Sequence, residues 1–209
     1  MKCLVVVAHP DDETLWMGGL MIRHPRWEWH VLCLSRADDW DRAPRFRRVG
    51  KELGALFSIS DLDDSPEPAP LSADLSEIKD RIRSLRETEF DLVFTHSPCG
   101  EYTYHVRHRQ VYQAACEMAA SGELTGELVF FAYEDGGGAY PPRAAQDAQI
   151  LVPLTTEEYV RKTHIIRDIY GYRKGSFEMR AAGTVEAFRT PADAATLARL
   201  RTTLENVDA

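Results

Sequence analysis

Residues 4–13, which read LVVVAHPDDE, decide the fold. Leu4 to Ala8 form a continuous apolar run rich in β-branched residues, which is typical of a central parallel strand covered on both faces. Asp11 and Asp12 follow at once and offer the side-chain oxygens that commonly begin helices. The stretch therefore predicts a buried strand that turns sharply into a helix.

Strand and helix patterns alternate outward from this stretch. We predict strands at 29–34, 90–95 and 128–132, and helices from Asp11 to Pro25 and at 42–56, 75–85, 105–118, 155–170 and 192–204, with an acidic, proline-rich loop at 61–70. This alternation indicates an α/β fold with a doubly wound, mostly parallel sheet. No internal repeat or boundary divides the chain, so we expect a single domain over residues 1–209, with a weaker pattern from about residue 136.

The composition excludes several classes of protein. Apolar residues make up 44% of the chain, charged residues 28%, and the formal net charge is −8, which argues against a surface that binds nucleic acid by bulk charge. No stretch approaches the roughly 20 apolar residues needed to span a membrane, and the N-terminal apolar run is too short for a signal peptide. The four cysteines include no Cys-x-x-Cys pair. We therefore expect a cytoplasmic protein without membrane insertion.

Polar clusters follow the predicted strands, where open parallel sheets bind their ligands. His9, Asp11 and Asp12 lie at the end of the first strand, and a histidine with a nearby carboxylate can bind one metal ion from such a turn. A catalytic zinc takes three protein ligands and leaves one position for water, so a neighbouring carboxylate could accept a proton from that water. The third ligand must come from a distant segment, and residues 105–108 (His-Val-Arg-His) are the best source.

Other interpretations of these residues remain open. Asp11 or Asp12 could simply cap the helix, and His9 could be a hydrogen-bonded structural residue. A nucleotide-binding site is disfavoured because neither a G-x-G-x-x-G nor a Walker sequence follows the first strand.

At this point the motifs resemble a known family. Residues 8–13 (Ala-His-Pro-Asp-Asp-Glu), with Gly18-Gly19 after them, resemble the signature of the PIG-L/LmbE-like deacetylases, and residues 94–96, 100–102 and 105–108 resemble its second motif. The resemblance covers about residues 2 to 135. It implies a Rossmann-like fold, one zinc ion per chain, and hydrolysis of N-acetyl groups from amino-sugar conjugates by metal-activated water.

The resemblance also implies roles for individual residues. It makes His9, Asp12 and His108 the metal ligands, Asp11 the general base, and His105 the residue that stabilises the oxyanion or protonates the leaving amine. Tyr102 or Tyr104 matches an assisting tyrosine found in some members of the family.

Two departures from the family pattern indicate a sub-branch with a different substrate. Residues 105–108 read His-Val-Arg-His where the family has His-Pro-Asp-His, which removes a carboxylate expected to orient a histidine. Arg107 in its place would favour a neutral neighbouring histidine. Residues 42–45 read Arg-Ala-Pro-Arg where many relatives have Arg-x-x-Glu.

Substrate contacts are predicted at the rim of the site. Arg36 and Arg42 could bind a phosphate, carboxylate or sugar hydroxyls, and Trp40 could stack on a sugar ring. We expect a zinc-dependent N-deacetylase (an amide hydrolase) acting on a small acetylated amino sugar, with no nucleic-acid partner and with homo-oligomerisation left open. The alternatives are a hydrolase of another small amide or ester, and a metal-binding or regulatory protein with weakened catalysis.

Overall fold

The computed structural model describes residues 1–64, 74–85, 87, 89–102 and 104–206. Nine strands are found in this part of the chain: β1 (Lys2–Val7), β2 (Glu28–Ser35), β3 (Leu56–Leu62), β4 (Glu89–Thr95), β5 (Thr125–Phe131), β6 (Tyr133–Glu134), β7 (Arg143–Ala144), β8 (Ile150–Pro153) and β9 (Val185–Arg189). The helices of the same ranges are α1 (Asp12–Arg23), α2 (Arg42–Leu53), α3 (Leu75–Arg83), α4 (Val106–Ala120), α5 (Thr156–His164), a π-helix (Ile165–Ile169), α6 (Phe177–Ala181) and α7 (Ala194–Glu205).

Seven strands form the central sheet, in the order β3-β2-β1-β4-β5-β9-β8, while β6 and β7 form a separate ribbon. The first five strands of this order are parallel, and β9 is antiparallel to both of its neighbours. This confirms the predicted doubly wound, mostly parallel α/β sheet. The chain runs outward from β1 through β2 to β3 and then returns to β4 on the other side of β1, so the strand order reverses between β1 and β4. Ligands of such sheets bind at this switch point.

Both faces of the sheet are covered, which explains the continuous apolar run in β1. Cys3, Val5 and Val7 belong to a core that includes residues of α1, α2 and the π-helix. Leu4 and Val6 point to the opposite core, which includes residues of α3 and α4. Because successive strand residues face opposite sides, a strand between two helical layers needs apolar residues at every position.

The sequence prediction was wrong about the end of α2 and the strand after it. The helix ends at Leu53, where Gly54 adopts the left-handed conformation with a φ of 66°, and residues 56–62 form β3 rather than the end of a helix and the start of a loop. Gly50 allows α2 to pack closely on β3, since a Cβ there would lie 2.7 Å from the Phe57 ring. Strands β8 and β9 were also missed. Residues 65–70 of the predicted acidic loop lie outside the described residues.

No helix in the described ranges is long and apolar enough to cross a lipid bilayer.

Candidate metal centre and active site

The site lies at the switch point of the sheet, beyond the carboxyl ends of β1 and β4. His9 follows β1, and His96 follows β4 directly. His105 is the N-cap residue of α4, and His108 lies in its first turn. The fold thus brings together residues that are about a hundred positions apart in the sequence.

A tight turn between β1 and α1 presents two adjacent carboxylates. Asp11, the N-cap residue of α1, has a φ of 118°, a backbone conformation that costs about 1–3 kcal/mol for a residue with a side chain. Its backbone N–H donates to Oε2 of the buried Glu13 at 3.1 Å. The other oxygen of Glu13 accepts the Tyr170 hydroxyl at 2.6 Å. Glu13 therefore holds this turn in place rather than facing the pocket.

Asp12 is fixed by contacts to both of its carboxylate oxygens. Oδ1 accepts the indole N–H of Trp16 at 3.1 Å, and Oδ2 accepts the backbone N–H of His9 at 2.9 Å. Burial raises the pKa of Asp12, but His108 and the other surrounding histidines outweigh it and hold this pKa well below its usual value. Asp12 is thus an ionised carboxylate surrounded by imidazole rings.

Three donor atoms converge in front of this carboxylate. His9 Nδ1 lies 3.2 Å from His108 Nε2 and 3.4 Å from Asp12 Oδ2, and His108 Nε2 lies 3.5 Å from Asp12 Oδ2. The edge of a tetrahedron around zinc with bonds of 2.0–2.1 Å is about 3.3–3.4 Å long. The three residues that the resemblance implied as ligands therefore fit one zinc ion.

His9 and His108 each have a second ring nitrogen, on the side away from the three donor atoms, and a carboxylate contacts it. Asp64 Oδ1 lies 3.0 Å from His9 Nε2, and Glu101 Oε2 contacts His108 Nδ1. Arg36 anchors Asp64 through Nε and Nη2 at 3.1 and 2.7 Å. Carboxylates in such positions fix the tautomer of a metal-binding histidine and increase its basicity. The inner nitrogens, His9 Nδ1 and His108 Nε2, are then free to bind a metal.

Glu101 orients His108, although the His-Val-Arg-His sequence lacks the aspartate of the family pattern. It contacts His108 directly, so the orienting carboxylate is present seven residues before the histidine. Arg107 instead pairs with Asp74 at 2.9 Å and with Gln110 at 2.8 Å. Burial and His96 lower the pKa of His108. The effect we ascribed to Arg107 is therefore produced by the buried surroundings of the ring.

His96 lies in the same cluster but has no nitrogen free for a metal. Its Nε2 accepts the backbone N–H of Ala8 at 3.0 Å, and its Nδ1 donates to Glu101 Oε2 at 2.8 Å. The ring is fully buried and stacks on His108 with 3.8 Å between the ring centroids. His96 thus connects the end of β1 to Glu101.

The Asp11 carboxylate lines the same pocket as His9 and Asp12, and residues of other elements hold it in place. Oδ2 accepts the Tyr172 hydroxyl and lies 3.4 Å from Nη1 of Arg42, whose guanidinium group lies over the Tyr172 ring. Burial and the adjacent Asp12 raise the pKa of Asp11, while Tyr172 and Arg42 lower it. A carboxyl group with a raised pKa is suited to accepting a proton near neutral pH.

His105 packs against both metal-facing histidines. Its ring lies 4.3 Å from that of His108 and 4.9 Å from that of His9, between ring centroids. Burial and the neighbouring His108 lower the pKa of His105 to about 3, so the ring is neutral at pH 7. Its buried Nδ1 has no hydrogen-bond partner in the described parts of the chain. His105 thus lines the pocket as a neutral ring with one nitrogen not committed to the protein.

These side chains surround a pocket of about 210 Å³. It is lined by His9, Asp11, Asp12, Leu15, Arg36, Arg42, Asp64, Tyr102, His105, Phe177 and Glu178. Of the five predicted substrate contacts, Arg36, Arg42 and Tyr102 are therefore at the pocket. Trp40 and Tyr104 are not among its lining residues. Trp40 is 87% exposed, while Tyr104 is 62% exposed and has the guanidinium of Arg109 3.8 Å above its ring.

Sequence reasoning missed two groups of residues at this site. Asp64, His96 and Glu101 were given no role, although a glutamate seven residues before a candidate ligand was a usable signal for Glu101. The second group carries no motif: Tyr170 and Tyr172 follow the π-helix, and Phe177 and Glu178 begin α6.

The family model described as PIG-L: GlcNAc-PI de-N-acetylase matches residues 4–119. The uncharacterized protein L374 of Acanthamoeba polyphaga mimivirus is 25% identical over 125 residues, which cover 52% of this chain and 53% of that protein. The chain thus spans about half the length of this curated relative.

Two solved structures share the fold over most of the chain. The 4-carboxy-2-hydroxymuconate hydratase GalB of Pseudomonas putida superposes with a TM-score of 0.64 at 15% identity and covers 92% of this chain and 96% of its own. The zinc-inhibited form of the teicoplanin deacetylase Orf2 superposes with a TM-score of 0.58 at 16% identity, covering 81% of this chain and 84% of its own. At such low identity these likenesses show the fold alone.

Proposed function

The chain belongs to the PIG-L (GlcNAc-PI de-N-acetylase) family, and from this premise we propose that it is a zinc-dependent hydrolase that removes the N-acetyl group of an amino sugar or amino-sugar conjugate. The observation that carries the proposal is the set of three donor atoms of His9, Asp12 and His108, 3.2–3.5 Å apart. One zinc ion per chain would bind there and supply Lewis-acid chemistry that acidifies water and polarises the amide carbonyl.

Asp11 is the general base in this proposal. Its Oδ2 is held by Tyr172 and Arg42, which leaves Oδ1 to accept the proton of the attacking water. Transfer of a proton to a positioned side chain contributes typically about 10²–10⁴-fold to a rate. The raised pKa of Asp11 supports this role, because the carboxyl group can also return the proton to the leaving amine.

His105 is the proposed oxyanion residue. Its neutral ring beside both metal-facing histidines can donate an N–H hydrogen bond to the oxygen on which negative charge develops. Loss of one such donor typically costs about 10²–10³-fold in kcat. Arg36, Arg42 and Tyr102, which line the same pocket, are the proposed substrate contacts.

Metal analysis combined with acetate release tests the proposal. We expect the purified protein to contain close to one zinc ion per chain and to release acetate from at least one N-acetylated sugar in a panel. Asp11→Asn should keep zinc but lose turnover by about 10²–10⁴-fold. Normal turnover in Asp11→Asn would exclude Asp11 as the base.

The fold alone does not select this reaction, because the hydratase GalB shares it. Zinc content and hydrolysis of other amides or esters, without acetate release from sugars, would support the second enzymatic alternative. Bound zinc without any hydrolysis would support a metal-binding protein with weakened catalysis.

A further inference from the structure

The short helix α6 forms one wall of the candidate pocket. Phe177 and Glu178, its first two residues, line the pocket together with His9 and His105. The Ser176 hydroxyl accepts the backbone N–H of Met179 and so caps the helix. The Phe177 ring packs on that of Tyr102, with 4.8 Å between the ring centroids. The wall therefore combines an aromatic surface with a carboxylate.

Glu178 differs from the other charged side chains of this pocket. Arg42 pairs with Asp11 at 3.4 Å, and Arg36 pairs with Asp64 at 2.7 Å. For the Glu178 carboxylate, by contrast, the described chain contains no hydrogen bond or ion pair within 4 Å. A half-buried carboxylate in a pocket favours a ligand that donates hydrogen bonds to it, because such charge-assisted bonds are stronger than neutral ones.

The negative charge of Glu178 acts on other ionisable groups of the site. Burial and Asp12 raise the pKa of Tyr102, and burial and Asp11 raise that of Tyr172, with a smaller contribution from Glu178 to both. Glu178 also adds to the effect of Asp11 in raising the pKa of Arg42. Since each of the two arginines already has a carboxylate partner, an anionic group placed beside α6 would meet the like charge of Glu178, which has no direct ion-pair partner in the described residues. A neutral group with hydroxyl donors would not.

We infer that Glu178 determines substrate specificity by accepting hydrogen bonds from the hydroxyl groups of a neutral acetylated sugar ring that packs on Phe177. This inference rests on the proposed deacetylase function and narrows its substrate class. It predicts that sugars with a phosphate group are disfavoured, and that the preference depends on a residue outside the 4–119 range matched by the family model.

Kinetics with neutral and phosphorylated sugars test the inference. On the zinc-loaded protein, we expect N-acetyl-D-glucosamine to have a kcat/KM at least about tenfold above that of the better of its 1- and 6-phosphates. Glu178→Gln should raise KM for the neutral sugar about tenfold, as for a lost hydrogen bond to a charged group, with kcat within about twofold. The preference over the phosphates should fall by a similar factor. Zinc content should stay unchanged.

Glu157→Gln, an exposed glutamate on α5, is the matched control and should leave every value unchanged. Equal losses with neutral and phosphorylated sugars in Glu178→Gln, or no change in either, would overturn the inference. Calorimetric affinities of the same sugars for the zinc-loaded protein provide a second readout. If no sugar releases acetate, the proposed function fails, while an affinity preference that Glu178→Gln abolishes would still support the role of Glu178.

Discussion

Two regions of this molecule contribute to the site in different ways. Residues 4–119, the range of the family match, contain the three converging donor atoms and both carboxylates that orient the histidines. The described residues after 119 contribute none of these, but they supply Tyr170, Tyr172 and the α6 wall. The first region could bind the metal, whereas the second holds the proposed base and shapes the pocket. This division predicts that substitutions in the two regions affect different measured quantities.

The second region also holds α1 in place through buried hydrogen bonds. Glu186 of β9 accepts the backbone N–H groups of Gly19 and Leu20 at 2.7 and 2.8 Å, and it pairs with Lys162 of α5 at 2.7 Å. Both side chains of the pair are fully buried. Strand β9 is therefore hydrogen-bonded to α1, and α5 is linked to α1 through the same glutamate.

The largest expected effect is the loss of zinc when a metal ligand in the first region is removed. His108→Ala should lose zinc and all measurable acetate release, because one of three donor atoms is removed. His164→Ala is the control, an exposed histidine of α5 paired with Asp168, and it should keep both. Zinc is measured by mass spectrometry after gel filtration. Full metal content in His108→Ala would exclude this residue from the ligand set.

The next effect is on stability and tests the second region. Lys162→Met leaves Glu186 as a buried charge without its partner, which typically costs about 3–5 kcal/mol in free energy of unfolding. Urea denaturation measures this loss. The double variant Lys162→Met with Glu186→Gln should recover part of it, since the stranded charge is removed. A loss below about 1 kcal/mol in the single variant would contradict a supporting role for this pair.

A smaller effect, on kcat, is expected from removing the contact between the second region and the proposed base Asp11. Tyr172→Phe removes the hydroxyl that donates to Asp11 and should lower kcat about tenfold, the scale of one hydrogen bond to a charged group. KM and zinc content should stay unchanged, because the tyrosine acts through Asp11. Tyr159→Phe on α5 is the control. A fall in zinc content in Tyr172→Phe would mean that the two regions are not separable.

The smallest effect concerns a predicted contact that lies outside the pocket. Trp40→Ala should change KM for an acetylated sugar by less than about twofold, since this side chain is 87% exposed and makes no part of the pocket lining. Steady-state kinetics on the same sugar panel measure this. A large rise in KM would show that the substrate extends beyond the pocket towards α2.

The sequence predicted the first region well because its signals are local. A strand buried on both faces must be apolar throughout, and the turn after it must carry the polar residues, so β1 and the motif at 8–13 were readable together. The half-exposed β3 mixes serine, aspartate and apolar residues, and its pattern did not distinguish a strand from a loop. The strands β8 and β9 each have only four or five residues, too few to establish a period.

The role of the second region in the site could not be predicted, although its strand at 128–132 and its helices at 155–170 and 192–204 were, because that role depends on tertiary contacts. Tyr172 meets Asp11 across 161 positions of sequence, and no local pattern indicates such a contact. In the first region, Trp40 and Tyr104 were predicted as substrate contacts because they follow strands in the sequence. Their side chains are exposed to solvent, and the sequence does not reveal side-chain direction in a loop. The position of Glu101 seven residues before His108 was a usable signal, but its second partner, His96, could be identified only from the fold.

The single oxygen Oε2 of Glu101 contacts both His96 and His108. The backbone N–H of Ala8 donates to the other nitrogen of His96, so hydrogen bonds link the peptide group of residue 8 through His96 and Glu101 to Nδ1 of His108, while Nε2 of the same ring faces Asp12. The two N–H groups share one acceptor oxygen, so a change in the strength of one hydrogen bond to Glu101 Oε2 alters the strength of the other. The basicity of His108 is thus coupled to the main-chain position at the end of β1, because a shift of Ala8 would move His96 and change how it competes with His108 for this oxygen.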